Sequence, residues 1–211
     1  MDHILDGLDK ENPWKGNDRF AAGIVKLLKP EFIFEIGTYK GYSSKCFAGP
    51  NIGMVLTIDI NNHDVDFSEF ANIVYKNVSS RDLYEIYSGP FIDIMHIDGS
   101  HKYEDVMYDI NSWCNWLKDD GIILLHDVTN ISSIAGFGPV KALFGSKFLY
   151  NGVYPGPNGI GIMTNSKEKF EILKNNFPIS TLGALGITWT ISLIGHLESY
   201  ILPLFAEGEG S

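Results

Sequence analysis

The sequence predicts an α/β fold, a doubly wound and mostly parallel sheet with helices on both faces. Short β-branched and aromatic runs at 32–36, 55–60, 73–75, 92–97 and 122–125 read as strands. They are continuously apolar rather than alternating, the pattern of strands buried on both faces. Helix-sized segments separate them, and strands alternating with helices imply βαβ crossovers.

The first helix is expected over 18–28, where Phe20, Ile24, Leu27 and Leu28 follow helical spacing behind Asp18 as its cap. The clearest helix lies over 103–117. Val106, Ile110, Trp113 and Leu117 recur there at intervals of four, three and four residues and form a stripe facing the sheet. A further helix is expected at 167–175. The chain divides into residues 1–165, one domain whose first 30 residues are a helical cover, and a C-terminal extension, 166–211. Its stretch 179–204, rich in Leu, Ile and Gly, must bury itself against the core, over the site as a lid or across a homodimer, and dimerisation is the first expectation.

A chain of 211 residues with 45% apolar and 20% charged side chains is long and apolar enough for a real core. Its 16 basic and 26 acidic residues give a net charge of −10, which disfavours nucleic acid as a partner. Two cysteines, Cys46 and Cys114, are too few for a disulfide framework and read as buried thiols. The N-terminus, with Asp2, Asp6 and Asp9, has no apolar leader, so a cytoplasmic protein is expected. The uncharged stretch 175–196 is broken by Pro178 and three glycines, which argues against a membrane span.

In a parallel sheet ligands bind beyond the carboxyl ends of the strands. Here those ends carry Glu35 and Gly37, Asp59, Asn77 and Ser79, Asp98, then His126 and Asp127. Gly37 permits a sharp turn and Gly41 a close approach, as a nucleotide-like ligand requires. Asp59, 22 residues after Gly37, either accepts the hydroxyls of a ribose or caps the following turn. The spacing G-x-x-x-G departs from the G-x-G-x-x-G of dinucleotide sites. Glu35 would repel a pyrophosphate but tolerate an ammonium and a sulfonium, so charge favours S-adenosyl-L-methionine over NAD.

The combination of Glu35-Ile36-Gly37-Thr38 with Gly41 and Ser43, Thr57-Ile58-Asp59, the run from His96 through Asp98-Gly99-Ser100-His101 to Val106, and Trp116-Leu117 through His126-Asp127-Val128 resembles class I S-adenosylmethionine-dependent methyltransferases. More narrowly it is similar to methyltransferase family 24, related to sugar and macrolide O-methyltransferases. The resemblance runs from about residue 20 to 164 and implies a Rossmann-like sheet of seven strands.

It also implies an O-methyltransferase acting on a small molecule or sugar hydroxyl. Glu35, Gly37 and Gly41 would shape the methionine end of the cofactor site, with Thr38, Ser43 and Asp98 beside them. Asp59 and Ile60 would hold the ribose. Relatives contact adenine through the residue after strand three, often an acid; Asn77-Val78-Ser79-Ser80 stands there in this chain, and Ser79 is the residue expected to make the contact. Related enzymes hold Mg²⁺ at the positions of Asp98 and Asp127, although His126 stands where some carry another acid; the alternative is that these two aspartates cap a helix and loop amides. His101 is either the general base or a loop anchor. His96, inside an apolar strand, reads as a hydrogen-bonded core residue. Competing readings are a non-catalytic protein that binds the cofactor and an NAD-dependent oxidoreductase.

Overall fold

A computed structural model describes residues 14–83, 90–130 and 137–181. The order is α1 (Asp18–Leu28), β1 (Phe32–Ile36), α2 (Tyr42–Ala48), β2 (Met54–Asp59), β3 (Ile73–Asn77), α3 (Ser80–Leu83), β4 (Ile92–Ile97), α4 (Tyr103–Trp113), β5 (Leu117–His126), α5 (Gly138–Phe144), β6 (Tyr150–Tyr154), β7 (Ile160–Thr164), α6 (Lys167–Asn176) and β8 (Ser180–Thr181). They form one sheet in the order β3-β2-β1-β4-β5-β7-β6-β8. The first five are parallel, and β7 runs antiparallel between β5 and β6. The eighth strand, beyond the expected seven, is a two-residue pairing against β6.

Because successive strand residues face opposite ways, the two apolar layers separate cleanly. Phe34, Ile36, Leu56, Ile58, Met95, Ile97, Ile123 and Leu125 meet Val106, Ile110 and Trp113 of α4 and Ala142 and Leu143 of α5. Ile33, Val55, Ile94, Ile122 and Leu124 meet Phe20, Ile24 and Val25 of α1, Cys46 and Phe47 of α2, and Phe170 and Leu173 of α6.

Four local expectations change. The helix that begins at Tyr103 ends at Trp113, and Leu117 starts β5, paired with Ile92. The apolar stripe thus ran on from a helix into a strand. β3 is a half-exposed edge strand rather than one buried on both faces. Asp18 does not cap α1 from outside but is its first residue, and Asn17 precedes it without a side-chain capping bond. Cys46 is buried, but Cys114 only partly so. Burial pushes the thiols up, to about 12 and about 11, so neither is a thiolate nucleophile at neutral pH. Almost all of the segment 179–204, on which the dimer and lid expectations rest, lies outside the described residues. Among the described residues no helix is long and apolar enough to cross a membrane.

The strand ends converge on Gly37, whose φ is +104°. Its N–H donates to Ile58 O at 2.9 Å, while Asp98 N donates to Ile36 O at 2.8 Å, which ties β1 to β2 and β4 at their tips. A β-carbon on Gly37 would lie 2.3 Å from Asp98 O and 2.8 Å from Gly99 N. Both contacts are backbone and cannot rotate away. Gly37→Ala is therefore expected to cost about 2–4 kcal/mol, the sum of overpacking and positive-φ strain. A thermal melt within a degree or two of the wild type would contradict this account.

Candidate active site

The tips of β1, β2, β4 and β5 and the loops after them enclose a cleft of about 750 Å³. That size suits a drug-sized or nucleoside-like ligand. Gly37, Thr38, Ser43, Asp59, Ile60, Ser79, Asp98, His101 and Asp127, all singled out in the sequence, line it. Two of the expected residues do not.

Glu35 is fully buried and faces α2 instead. Its carboxyl accepts from Ser44 Oγ, from Thr57 Oγ1 at 2.6 Å and, through Oε1, pairs with His96 Nδ1 at 2.9 Å. In register Glu35 lies opposite Thr57 on one side and His96 on the other, so the three form a polar row across β2, β1 and β4. Glu35 supports the glycine turn from beneath rather than meeting a ligand. His96 is fully buried, the hydrogen-bonded core residue expected. The row also reaches the cleft. Thr57 spends its one hydroxyl proton on Glu35, so Thr38 Oγ1, 2.7 Å from Thr57 Oγ1, must donate to it.

Gly41 is the second correction. It has φ +72°, and a β-carbon there would meet Phe67 and Val65 at 2.7 Å. Gly41 lets the 61–70 loop pack down on the start of α2. Asp59, at the end of β2, accepts from Tyr39 N and Asn61 N, each at 2.9 Å, and lies 3.3 Å from His63 Nε2. Ser79 lines the cleft, but its hydroxyl is engaged at α3: it donates to Asp82 Oδ2 at 2.7 Å and accepts from Asp82 N at 3.1 Å.

At the other end Asp98 and Asp127 share His126. Its Nδ1 lies 3.0 Å from Asp98 Oδ1 and 3.1 Å from Asp127 Oδ2. Trp14 Nε1 donates to Asp98 Oδ2 at 3.0 Å, and Asn130 Nδ2 to Asp127 Oδ1 at 3.0 Å. His101 Nε2 lies 3.0 Å from Asp127 Oδ2, with the imidazole half-buried. Asp127 itself holds φ +61°, an uncommon conformation of the kind that gathers at functional sites. Gly138, at the start of α5, lets that helix touch the His101 loop, since a β-carbon there would lie 2.1 Å from His101 O.

Burial opposes charge throughout this cluster, and the pairing outweighs it. For His126, desolvation works downward, but the Asp98 charge and hydrogen bonds to both aspartates carry the pKa from 6.5 up to about 10. Burial works to raise both carboxyls; against it His126 holds Asp98 below the usual range, and His101 followed by His126 hold Asp127 well below it. His101 is raised, first by its hydrogen bond to Asp127. One contact pulls the other way. Asn17 Nδ2 lies 3.3 Å from His126 Nε2 and 3.1 Å from Pro157 O, an orientation that suits a neutral ring, while Asn17 Oδ1 is buried without a partner among the described residues. Turning the amide over gives the charged ring an acceptor at the cost of the Pro157 bond. Two carboxylates against Nδ1 outweigh that contact and hold the pKa of the ring up.

Asp98, His101 and Asp127 each offer a ligand atom within 4.8 Å of the others. Yet all four carboxylate oxygens already meet an N–H, and a cation shared by Asp98 and Asp127 would have to displace the His126 Nδ1 that bridges them. This donor set does not fit Mg²⁺.

Trp14 and Asn17 went unnoticed in the sequence. Trp14 stacks on His126, with ring centroids 5.1 Å apart, and meets His96 edge-on at 5.0 Å. They lie 84 and 109 residues from the partners they bind, and no local pattern marks them.

The fold is one shared with solved methyltransferases. Residues 34–128 match the family Methyltransf_24, described as a methyltransferase domain. Among solved structures, an O-methyltransferase from Bacillus cereus in complex with SAH is similar at TM-score 0.54 and 17% identity, over 76% of this chain and 84% of that one. The O-methyltransferase TomG from Streptomyces achromogenes, solved with SAM, gives 0.51 and 16% over 77% and 94%. A methyltransferase from Geobacter sulfurreducens gives 0.56 and 14% over 77% and 94%. The uncharacterized protein y4gI of Sinorhizobium fredii is 26% identical over 140 residues, 56% of this chain but 15% of its own length. The match to a methyltransferase domain favours that class over the NAD-dependent alternative.

The raised His126 has a consequence for stability. A group whose folded pKa of about 10 exceeds its unfolded 6.5 contributes fully below pH 6.5 and loses that contribution as pH climbs towards 10. Denaturant unfolding at a series of pH values should show stability falling across that window, with the slope diminished in His126→Gln. An unchanged slope in the variant would place the titration elsewhere.

Proposed function

We propose that this chain is an S-adenosylmethionine-dependent O-methyltransferase acting on a hydroxyl of a small molecule or sugar, with His101 as its general base and no divalent metal in the reaction. The observation that carries the reading is the His101–Asp127 pair, 3.0 Å apart at the edge of the cleft and beside Asp98. The lining also suits the cofactor's charge. Asp59, Asp98, Asp105, Asp109 and Asp127 outnumber Lys40 and Arg81 among the cleft's side chains, which favours a sulfonium and an ammonium.

Bound S-adenosylmethionine would supply an activated methyl group and a neutral thioether as leaving group. The protein's own part is alignment and proton removal. Asp127 keeps the proton of His101 on Nε2, which leaves Nδ1 as the basic nitrogen for the acceptor's hydroxyl. Asp59 offers its carboxylate to the ribose once His63 gives way. His126, held protonated, neutralises part of the charge that Asp98 and Asp127 share, a task a metal performs in other enzymes.

Four measurements test this reading. Asp59→Ala is expected to weaken S-adenosylhomocysteine binding by calorimetry at least tenfold, the loss of charge-assisted hydrogen bonds. His101→Ala should bind it nearly as the wild type does while turnover on a panel of sugars and phenols falls about 10²–10⁴-fold. Full rate in that variant would remove His101 as the base. Because only neutral His101 accepts a proton and its pKa is raised, the wild-type rate should climb with pH through an apparent pKa above 6.5. EDTA should leave activity unchanged; a loss restored by Mg²⁺ would overturn the metal-free mechanism.

A further inference from the structure

The cleft continues past Asp59 towards the edge strand β3, where Val78, Ser79, Ser80 and Arg81 line one wall and Asp105 and Asp109 of α4 line the other. A cofactor lying along the strand tips, with its methyl at Asp98 and Asp127 and its ribose at Asp59, puts its base at this end. Ser79 is poorly placed to read that base, because its hydroxyl both donates to and accepts from Asp82. Arg81 is also occupied: its guanidinium lies 3.9 Å from the centre of the Tyr108 ring and 3.4 Å from Asp105 Oδ1.

Asp109 is different. It is only 6% exposed and still lines the cleft. Ser80 Oγ donates to its Oδ1 at 2.6 Å, and among the described residues Oδ2 has no hydrogen-bond partner. A largely buried carboxylate with one oxygen anchored by Ser80 and the other open to the cleft presents a fixed acceptor to a ligand's donor. Burial pushes its pKa up to about 6, so at neutral pH it is still an ionised acceptor.

We infer that Asp109 is the specificity residue for the base of the cofactor, accepting a hydrogen bond from the exocyclic amine of adenine. Helix α4 thereby supplies the acid missing after β3, with Ser80 fixing its orientation. The inference rests on the S-adenosylmethionine reading above and deepens it.

Calorimetry with S-adenosylhomocysteine and S-inosylhomocysteine tests it, because the second ligand replaces the amine with a carbonyl that would face the carboxylate. The wild type should prefer the adenosyl ligand by about 10- to 100-fold, the range for a hydrogen bond to a charged acceptor. Asp109→Asn offers a donor as well as an acceptor and should reduce that ratio below about threefold, with a melting temperature near that of the wild type. Ser80→Ala should weaken adenosyl binding by a few-fold through loss of the anchor. A wild-type ratio below threefold, or a full ratio kept in Asp109→Asn, overturns the assignment. Failure of the wild type to bind S-adenosylhomocysteine at all would instead overturn the cofactor reading itself.

Discussion

Three parallel strands end at one point with no side chain between them, and the cleft depends on that. Gly37 N is bonded to Ile58 O and Asp98 N to Ile36 O, and the space a β-carbon would need is filled by the Asp98 backbone. The tips of β2, β1 and β4 are thus fixed relative to one another, and so are Asp59 and Asp98, which stand at those tips. Beneath the turn, the Thr57–Glu35–His96 row ties the same three strands laterally, and Ser44 joins α2 to it. A polar row inside a sheet is tolerated because its central carboxyl meets three donors.

The second organising feature is electrostatic. A chain with net charge −10 concentrates carboxylates at one sheet edge, yet the two nearest the reacting end are not left to repel. His126 lies between them, and His101 and Asn130 hold Asp127 from the other side. This pairing lets Asp98 and Asp127 stay ionised while largely buried, and it orients His101 through a carboxylate, the arrangement a histidine base needs. The opposite end of the cleft has, among the described residues, one buried carboxylate, Asp109, with a serine as its anchor. The two ends therefore present different groups to a ligand, a histidine–carboxylate pair at one and an anchored carboxylate at the other.

The N-terminal segment completes the reacting end. Trp14 caps Asp98 and stacks on His126, and Asn17 gives up a capping bond at α1 to reach His126 and Pro157. A helix start left without its side-chain cap forgoes about 1 kcal/mol, a cost the tertiary contacts offset.

The sequence by itself determined the βαβ order, the strands and the polar residues at their ends. The reason is that a parallel sheet needs apolar runs and places chemistry at their carboxyl tips. Asp59, Asp98, His101 and Asp127 were legible on that ground. Only the tertiary structure decided which way Glu35 points, because a strand buried on both faces shows no alternation from which its parity could be read. It alone showed that Gly41 makes room for Phe67 and Val65, that Leu117 belongs to a strand, that Trp14 and Asp109 join the cleft, and that Asn17 backs His126. Each of these depends on contacts between elements distant in the chain, and local periodicity carries no record of distant contacts.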